Sequence, residues 1–311
     1  MAGRATKRRA GRRELRQDGS MAAKDGDGWA LCALGHQHWG VHGAAGLLTV
    51  HHTLEGMPYV LMQKRARWSH HGGTWGLPGG ARDSHEDPIT GALREAREEA
   101  ALDADLVRVR GLYVDDHGGW SFQTVIAEAG GLLDAAPANG ESADMRWVAA
   151  DEVASKELHP GFAATWPQIR PALRPVIVVL DMANIIGARA EHGWWKDRAG
   201  AANRLLNELI LLAKQGLGEM PEGVPALARW FPRMVVVLEG AAVGAADPGP
   251  MTEDLTVVAA RGSGDDAIVE TVRGLRSWET AVVVTADRGL RARVTALGAL
   301  VTGPRWLLKQ L

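Results

Sequence analysis

A single cysteine, Cys32, stands among 311 residues, which excludes an intramolecular disulfide framework and fits a reducing, cytoplasmic setting. No apolar run approaches the roughly 18 residues of a membrane span, so no membrane association is expected. Tyrosine (2) and phenylalanine (3) are scarce beside twelve tryptophans, a skew that goes with a chain rich in Ala, Arg and Gly and points to no function by itself. Charge of one sign is also lacking: 35 Lys and Arg against 37 Asp and Glu leave −2, with no overall pull towards nucleic acid. None of the eleven histidines stands in a zinc-ligand spacing with cysteine. His70 and His71 read as a solvated loop pair, with substrate contact as the alternative.

The balanced total hides one asymmetry. Residues 1–20 carry Arg4, Lys7, Arg8, Arg9, Arg12, Arg13 and Arg16 against Glu14 and Asp18. A tail of residues 1–28 with this composition is expected to be disordered and to add nonspecific affinity for RNA. Met21 as an alternative start is the other reading of the same stretch. It lacks the apolar segment of a secretory signal.

What is present begins with Gly80–Leu102, GARDSHEDPITGALREAREEAAL. Glu95, Glu98 and Glu99 stand at i, i+3 and i+4, so their carboxylates share one side of a helix turn. Like charges this close repel unless a cation sits among them. Oxygen donors of full charge suit a hard divalent ion, Mg²⁺ or Mn²⁺, and with it phosphate chemistry. A solvated acidic helix face is the alternative that the triplet alone leaves open.

The surroundings narrow the choice. WGLPGG (Trp75–Gly80) is a Gly/Pro turn leading into the segment. Five residues after Gly80 comes Glu86, seven later Arg94-Glu95, then Glu98-Glu99 and Leu102. This resembles the Nudix box in every charged position and in its spacing. Two positions depart from the pattern: Ala96 is small for an aliphatic site, and Ala101 replaces the final Gly. A left-handed backbone at Ala101 would cost on the order of 1 kcal/mol; otherwise the helix runs on.

The resemblance implies a Nudix domain over residues 29–173, a mixed sheet sandwiched by helices, that hydrolyses a nucleoside diphosphate linked to another moiety. It implies Glu95, Glu98 and Glu99 as metal ligands, Gly79 as a carbonyl ligand, and Arg94 as the residue that orients Glu95. Glu98 is assigned the place nearest the attacking water, and Glu141 is a candidate outer acid or a plain loop carboxylate. Oxidised or noncanonical (d)NTPs, giving the monophosphate and pyrophosphate, are the favoured substrates. ADP-ribose and dinucleotides follow, since the box binds the diphosphate and not what is attached to it.

The flanks agree with that fold. GAAGLLTV (43–50), YVLMQKR (59–65), LVRVRGLY (106–113), SFQTVIA (121–127) and MRWV (145–148) read as strands, and residues 159–173 as a closing helix.

A length of 311 residues leaves room for a second domain, expected over 175–311. VIVVL (176–180), MVVVL (234–238), LTVVAA (255–260) and AVVVTA (281–286) are short apolar runs. They alternate with helical segments near 199–214, 265–275 and 289–297, which predicts a doubly wound parallel sheet covered on both faces. Asp181, Glu239 and Asp287 follow three of the runs, and Asp265-Asp266 open a helix. Each alone reads as a helix cap; together they suggest a second cation site at the carboxyl edge of the sheet. VLDMANIIG, VLEG, GDDAIVE and VTADRGL resemble the PIN/NYN group of metal-dependent ribonuclease-like domains. That resemblance implies Asp181, Asp265, Asp266 and Asp287 as metal-binding acids, with Asn184 and Glu239 as polar contacts. Trp194, Trp195 and Lys196 then suit stacking on RNA bases and contact with phosphate, or else packing under the loop. Two further functional classes remain open: a ribonuclease acting through this half, and a regulator that binds a nucleotide and controls RNA binding. Oligomeric state is not legible in the sequence.

Overall fold

The computed structural model describes residues 25–189, 197–240, 242 and 254–311. The first described elements are β1 (Trp29–Leu31) and β2 (Gln37–Trp39), an antiparallel hairpin. There follow β3 (Ala44–His52), β4 (Pro58–Arg65), β5 (Trp75–Gly76), β6 (Gly79–Ala81), α1 (Pro88–Ala100), β7 (Val107–Asp116), β8 (Ser121–Ala129), β9 (Ser142–Ala149) and α2 (Pro160–Ile169). β3 is buried along nearly its whole length because it lies inside a mixed sheet, parallel to β8 and antiparallel to β4 and β6. Its alternating side chains serve two layers. Leu47 packs with α1 through Ala92, Ala96 and Ala100, while Leu48 and Val50 point into the opposite layer with Phe162, Trp166 and Ile169 of α2.

The second half is β10 (Val176–Asp181), α3 (Met182–Arg189), α4 (Arg198–Gln215), β11 (Arg229–Trp230), β12 (Arg233–Leu238), β13 (Leu255–Ala259), α5 (Gly264–Arg273), β14 (Thr280–Val284), α6 (Arg288–Thr295), β15 (Leu300–Thr302) and α7 (Pro304–Leu308). Five of these strands form a wholly parallel sheet in the order β13-β12-β10-β14-β15. Ile177 and Val179 of β10 face α5 and α6, while Val178 and Leu180 face α4, so the sheet is covered on both sides. The chain reverses its direction of travel between β10 and β14, and the crevice above that reversal is where doubly wound sheets hold ligands.

The two sheets do not stand apart. β11, from the second half, pairs antiparallel with β7 and extends the first sheet (Arg229↔Leu112, Trp230↔Gly111). One apolar cluster runs from Leu48 and Met62 through Leu173 to Leu209, Met234 and Leu307. Arg110, buried, donates from Nη2 to the Leu173 carbonyl (3.0 Å), and Arg108 Nε donates to Asp254 Oδ1 (2.7 Å). His52 stacks on Trp278 with rings 11° from parallel.

Several elements escape the sequence pattern. β1, β2, β5, β6 and β11 are two or three residues long, too short to show a period, and each exists because a neighbouring edge offers hydrogen bonds. α3 starts directly after β10 with no turn residue between them.

Candidate active site

The turn Trp75–Gly80 and helix α1 place the acidic residues. Asp87 caps α1, accepting from the N–H groups of Ile89 (2.9 Å) and Thr90 (3.2 Å), and Pro88 occupies the first turn, where no N–H is needed. At the other end Ala101 takes the left-handed conformation (φ 54°, ψ 26°), and its N–H donates to the Ala96 carbonyl. The helix therefore stops where the sequence left two outcomes open, and it stops with a strained alanine. Ala96 explains its own small size: it is fully buried between Ala92 and Ala100, and this run of methyl groups lets α1 lie close on the sheet.

Gly80 is a necessity of approach. A Cβ there would lie 2.8–2.9 Å from the carboxylate of Glu95. Gly79 is equally tight against the backbone of Ala45 and Gly46, and its N–H donates to Glu99 Oε2 (2.8 Å).

Arg94 is the hub of the box. It forms a bidentate pair with Glu86 (Nε–Oε1 2.7 Å, Nη2–Oε2 2.9 Å), donates to Glu95 Oε1 (2.6 Å) and to the Ala81 carbonyl (2.9 Å), and lies 3.8 Å from Glu98. Burial works against its charge, but the carboxylates of Glu86 and Glu95 outweigh that and hold its pKa above the ordinary value. The box residues Glu86 and Arg94 thus brace the loop to the helix, as charge-assisted pairs in a buried setting do.

Glu99 is 3% exposed. Burial, then the charges of Glu95 and Glu141, push its carboxyl up to about 8, against the pull of the Gly79 N–H and Gln63. A carboxylate so placed fits a divalent cation, because an ion among Glu95, Glu98 and Glu99 removes the repulsion and the burial penalty together. Glu141 is exposed at the rim of the same cleft. That cleft holds about 920 Å³, within the range of small-molecule sites of about 300–1,000 Å³. Glu95, Glu98 and Glu99 line it together with Trp29, Trp39, Trp68 and Trp120.

His70, His71 and His159 also line the cleft, with imidazole nitrogens within 4.8 Å of one another. His70 and His71 are exposed turn residues, as expected of a solvated pair, and they also touch other rings: Trp29 packs edge-on to His70, and His71 packs on His159. The chain has no cysteine–histidine pattern of zinc-ligand spacing, yet the fold gathers Cys32, His36, His38 and His117. Two separate hairpins supply them, so no linear spacing revealed the full set.

In the second half the fold brings Asp181, Glu239, Asp265 and Asp287 to the reversal between β10 and β14. Asp181 is buried; it accepts from Thr285 Oγ1 (2.7 Å) and the Asn184 N–H (3.1 Å). Burial is the main cause that raises its pKa, with added repulsion from Asp265 and Glu239. Asp265 is raised by burial and by Asp287. Asn184 Oδ1 accepts from the Ala286 N–H (3.1 Å), tying the two loops together. Glu239 accepts from the Gly264 N–H (2.8 Å), and Asp287 caps α6. Asp266 stands apart: it is exposed and paired with Arg293 (2.6 Å). Trp194, Trp195 and Lys196 lie outside the described residues, as does the basic tail up to residue 24.

Fold and site together define the class: a mixed sheet between helices, with a loop–helix unit that presents converging carboxylates to a nucleotide-sized cleft. The NUDIX domain model matches residues 42–168. A Mycobacterium tuberculosis protein provisionally named 8-oxo-dGTP diphosphatase 3 is 54% identical over 154 residues, covering 48% of this chain and 70% of that protein. A Bifidobacterium longum nucleoside triphosphate pyrophosphatase/Nudix hydrolase fusion protein is 41% identical over 152 residues, covering 48% of this chain and 32% of its own length. A solved Nudix hydrolase from M. smegmatis, RenU, is 50% identical, covering 47% of this chain and 94% of that one, with a TM-score of 0.44. The chain belongs to the Nudix family, a family of nucleotide pyrophosphohydrolases.

Proposed function

We propose that residues 29–173 form a Nudix domain that hydrolyses oxidised or otherwise noncanonical (d)NTPs to the monophosphate and pyrophosphate. The observation that carries this is the single cleft joining Glu95, Glu98 and Glu99 to a wall of tryptophans. The carboxylates suit a polyphosphate held through a cation, and the indole rings suit a stacked base. The name of the M. tuberculosis relative points to the same substrate class.

Glu95, Glu98 and Glu99, with the Gly79 carbonyl and Glu141 at the rim, would hold Mg²⁺ or Mn²⁺. Such an ion neutralises charge on phosphate oxygens and lowers the pKa of water. The chain's own work is to orient. Arg94 fixes Glu95 by a 2.6 Å hydrogen bond, and Glu86 fixes Arg94. Glu98, the more exposed of the box acids, receives the proton of the water that attacks phosphorus, and pyrophosphate leaves.

Product chromatography with Mg²⁺ tests this, using wild type and Glu98→Gln against oxidised and normal (d)NTPs, ADP-ribose and dinucleoside polyphosphates. Expected is monophosphate plus pyrophosphate from an oxidised dNTP, with turnover about 10²–10⁴-fold lower in the variant. Turnover of ADP-ribose alone reassigns the substrate. No turnover of any member removes the reading.

A second reading applies to residues 175–311: a PIN/NYN-like domain in which Asp181, Asp265 and Asp287 hold a divalent ion for RNA cleavage. The mutual repulsion of buried Asp181 with Asp265 and Glu239 favours it. Mn²⁺-dependent cleavage of an RNA oligonucleotide, abolished by Asp181→Asn and unchanged by Glu98→Gln, is the expected result. Intact RNA throughout refutes it.

A further inference from the structure

We propose that Cys32, His36, His38 and His117 form a zinc site that clamps the β1–β2 hairpin onto the β7–β8 hairpin and so braces the tryptophan wall of the substrate cleft. One ligand atom from each of the four lies within 4.8 Å of every other. Tetrahedral zinc with bonds of about 2.0–2.3 Å needs donors about 3.4–3.6 Å apart, so side-chain adjustment of about 1 Å closes the shell. One thiolate and three imidazoles are donors of the kind zinc prefers, and hard ions such as Mg²⁺ do not compete for them.

The loops that carry the donors are already docked. Gly35 N–H donates to the Cys32 carbonyl (3.0 Å) and Cys32 N–H to the His36 carbonyl (3.0 Å), which closes a tight turn around the first two ligands. Ala33 N–H donates to the Gly118 carbonyl (2.8 Å), joining that turn to the tip of the second hairpin. Cys32 is 4% exposed, and the thiol has no disulfide partner. His38 lies flat on Trp120 at 3.9 Å between ring centroids. His117 Nε2 is 3.0 Å from Asp115 Oδ2, the carboxylate contact that commonly fixes a metal-bound imidazole. That leaves Nδ1 of His117 for a ligand. Nδ1 of His117 and Nε2 of His38 are both buried with no hydrogen-bond partner among the described residues. An unsatisfied buried nitrogen costs about 1–3 kcal/mol, and two beside a buried thiol are accounted for by a shared cation.

The site is distinct from the acidic one. Its donors are one thiolate and three imidazole nitrogens in place of carboxylates, and they come from elements that carry none of the box residues. Both sites open on the same cleft, since His36, His38 and His117 line it beside Trp29 and Trp39. Binding removes the Cys32 proton to solvent as the thiolate forms.

The test uses tag-free full-length protein, with zinc content measured by mass spectrometry after dialysis. About one zinc per chain is expected, unchanged in Glu98→Gln and lost in both Cys32→Ser and His36→Gln. His36 is exposed, so its variant keeps the test valid if Cys32→Ser misfolds. Cobalt in place of zinc should show tetrahedral d–d bands and a thiolate-to-cobalt charge-transfer band, the latter absent from Cys32→Ser. No retained zinc, or zinc retained by Cys32→Ser and His36→Gln but lost from Glu98→Gln, overturns the proposal. A rise in KM with little change in kcat on zinc removal is the functional arm. That arm alone rests on the nucleotide reading; metal content and spectra stand without it.

Discussion

At the scale of single residues, the buried pair Glu86–Arg94 decides more than its distance from the reacting phosphorus suggests. Each partner is charged, and their side chains are 5% and 9% exposed. Removing the Glu86 carboxylate takes away the bidentate partner and leaves Arg94 only Glu95 and the Ala81 carbonyl as hydrogen-bond acceptors, a loss of charge-assisted hydrogen bonds that costs about 1.5–3 kcal/mol. Glu86→Gln is therefore expected to lower the urea midpoint and also to lower kcat, because Arg94 would no longer hold Glu95; chemical denaturation and steady-state kinetics check both. His52 makes a pH prediction. Burial, and then the nearby Arg110, depress its pKa to about 4 from 6.5, so the folded chain resists a proton that the unfolded chain accepts. Stability from this group is present above pH 6.5 and is lost as pH falls from 6.5 to 4, by up to about 3 kcal/mol. The stability difference between wild type and His52→Gln, followed by urea unfolding across that window, should shrink as pH falls. Glu99, raised to about 8, acts in the opposite sense, which is why the difference and not the wild-type curve is the readout.

At the scale of elements, α1 couples a catalytic face to a packing face. The positions that the box pattern leaves uncharged, Ala92, Ala96 and Ala100, form the close-packed seam against the sheet. Ala96→Leu adds volume where none exists and is expected to destabilise by about 1–3 kcal/mol and reduce turnover as the glutamates shift outward. Ala101→Gly should do the reverse for stability. Its φ of 54° suits glycine, and removing the Cβ strain is expected to raise stability by about 1 kcal/mol, read as an increase in Tm. The sequence named both departures from the Nudix pattern. It did not say which way Ala101 would turn, because that depends on where Leu102 finds its buried pocket.

At the scale of the whole molecule, the two halves share a core. Trp230 is 2% exposed, sits in β11 on the edge of the first sheet, and donates from Nε1 to the Pro225 carbonyl (3.0 Å). Trp230→Ala removes a large buried side chain at this junction and is expected to cost about 3–5 kcal/mol. Because the apolar cluster runs through both halves, calorimetry of the intact chain should show one unfolding transition, shifted down in the variant. Two resolved transitions in the wild type would contradict the shared core.

The sequence by itself determined the charged pattern of the box, the helix that carries it, and the apolar strands of both sheets. Those features rest on local spacing: 3.6-residue periodicity, uninterrupted apolar runs, and a Gly/Pro turn ahead of Asp87. It also marked Asp181 and Asp287 as strand-end acids, without showing that Thr285 and Asn184 would tie their loops together. Only the tertiary structure decided that β11 would cross to the other sheet, that Asp266 would turn away to Arg293, and that Cys32 would meet three histidines. Each of those depends on which edges and hairpin tips come to lie side by side. The deciding contacts, Arg229 to Leu112, Asp266 to Arg293 and Cys32 to His117, join residues tens of positions apart, and no periodicity along the chain records them.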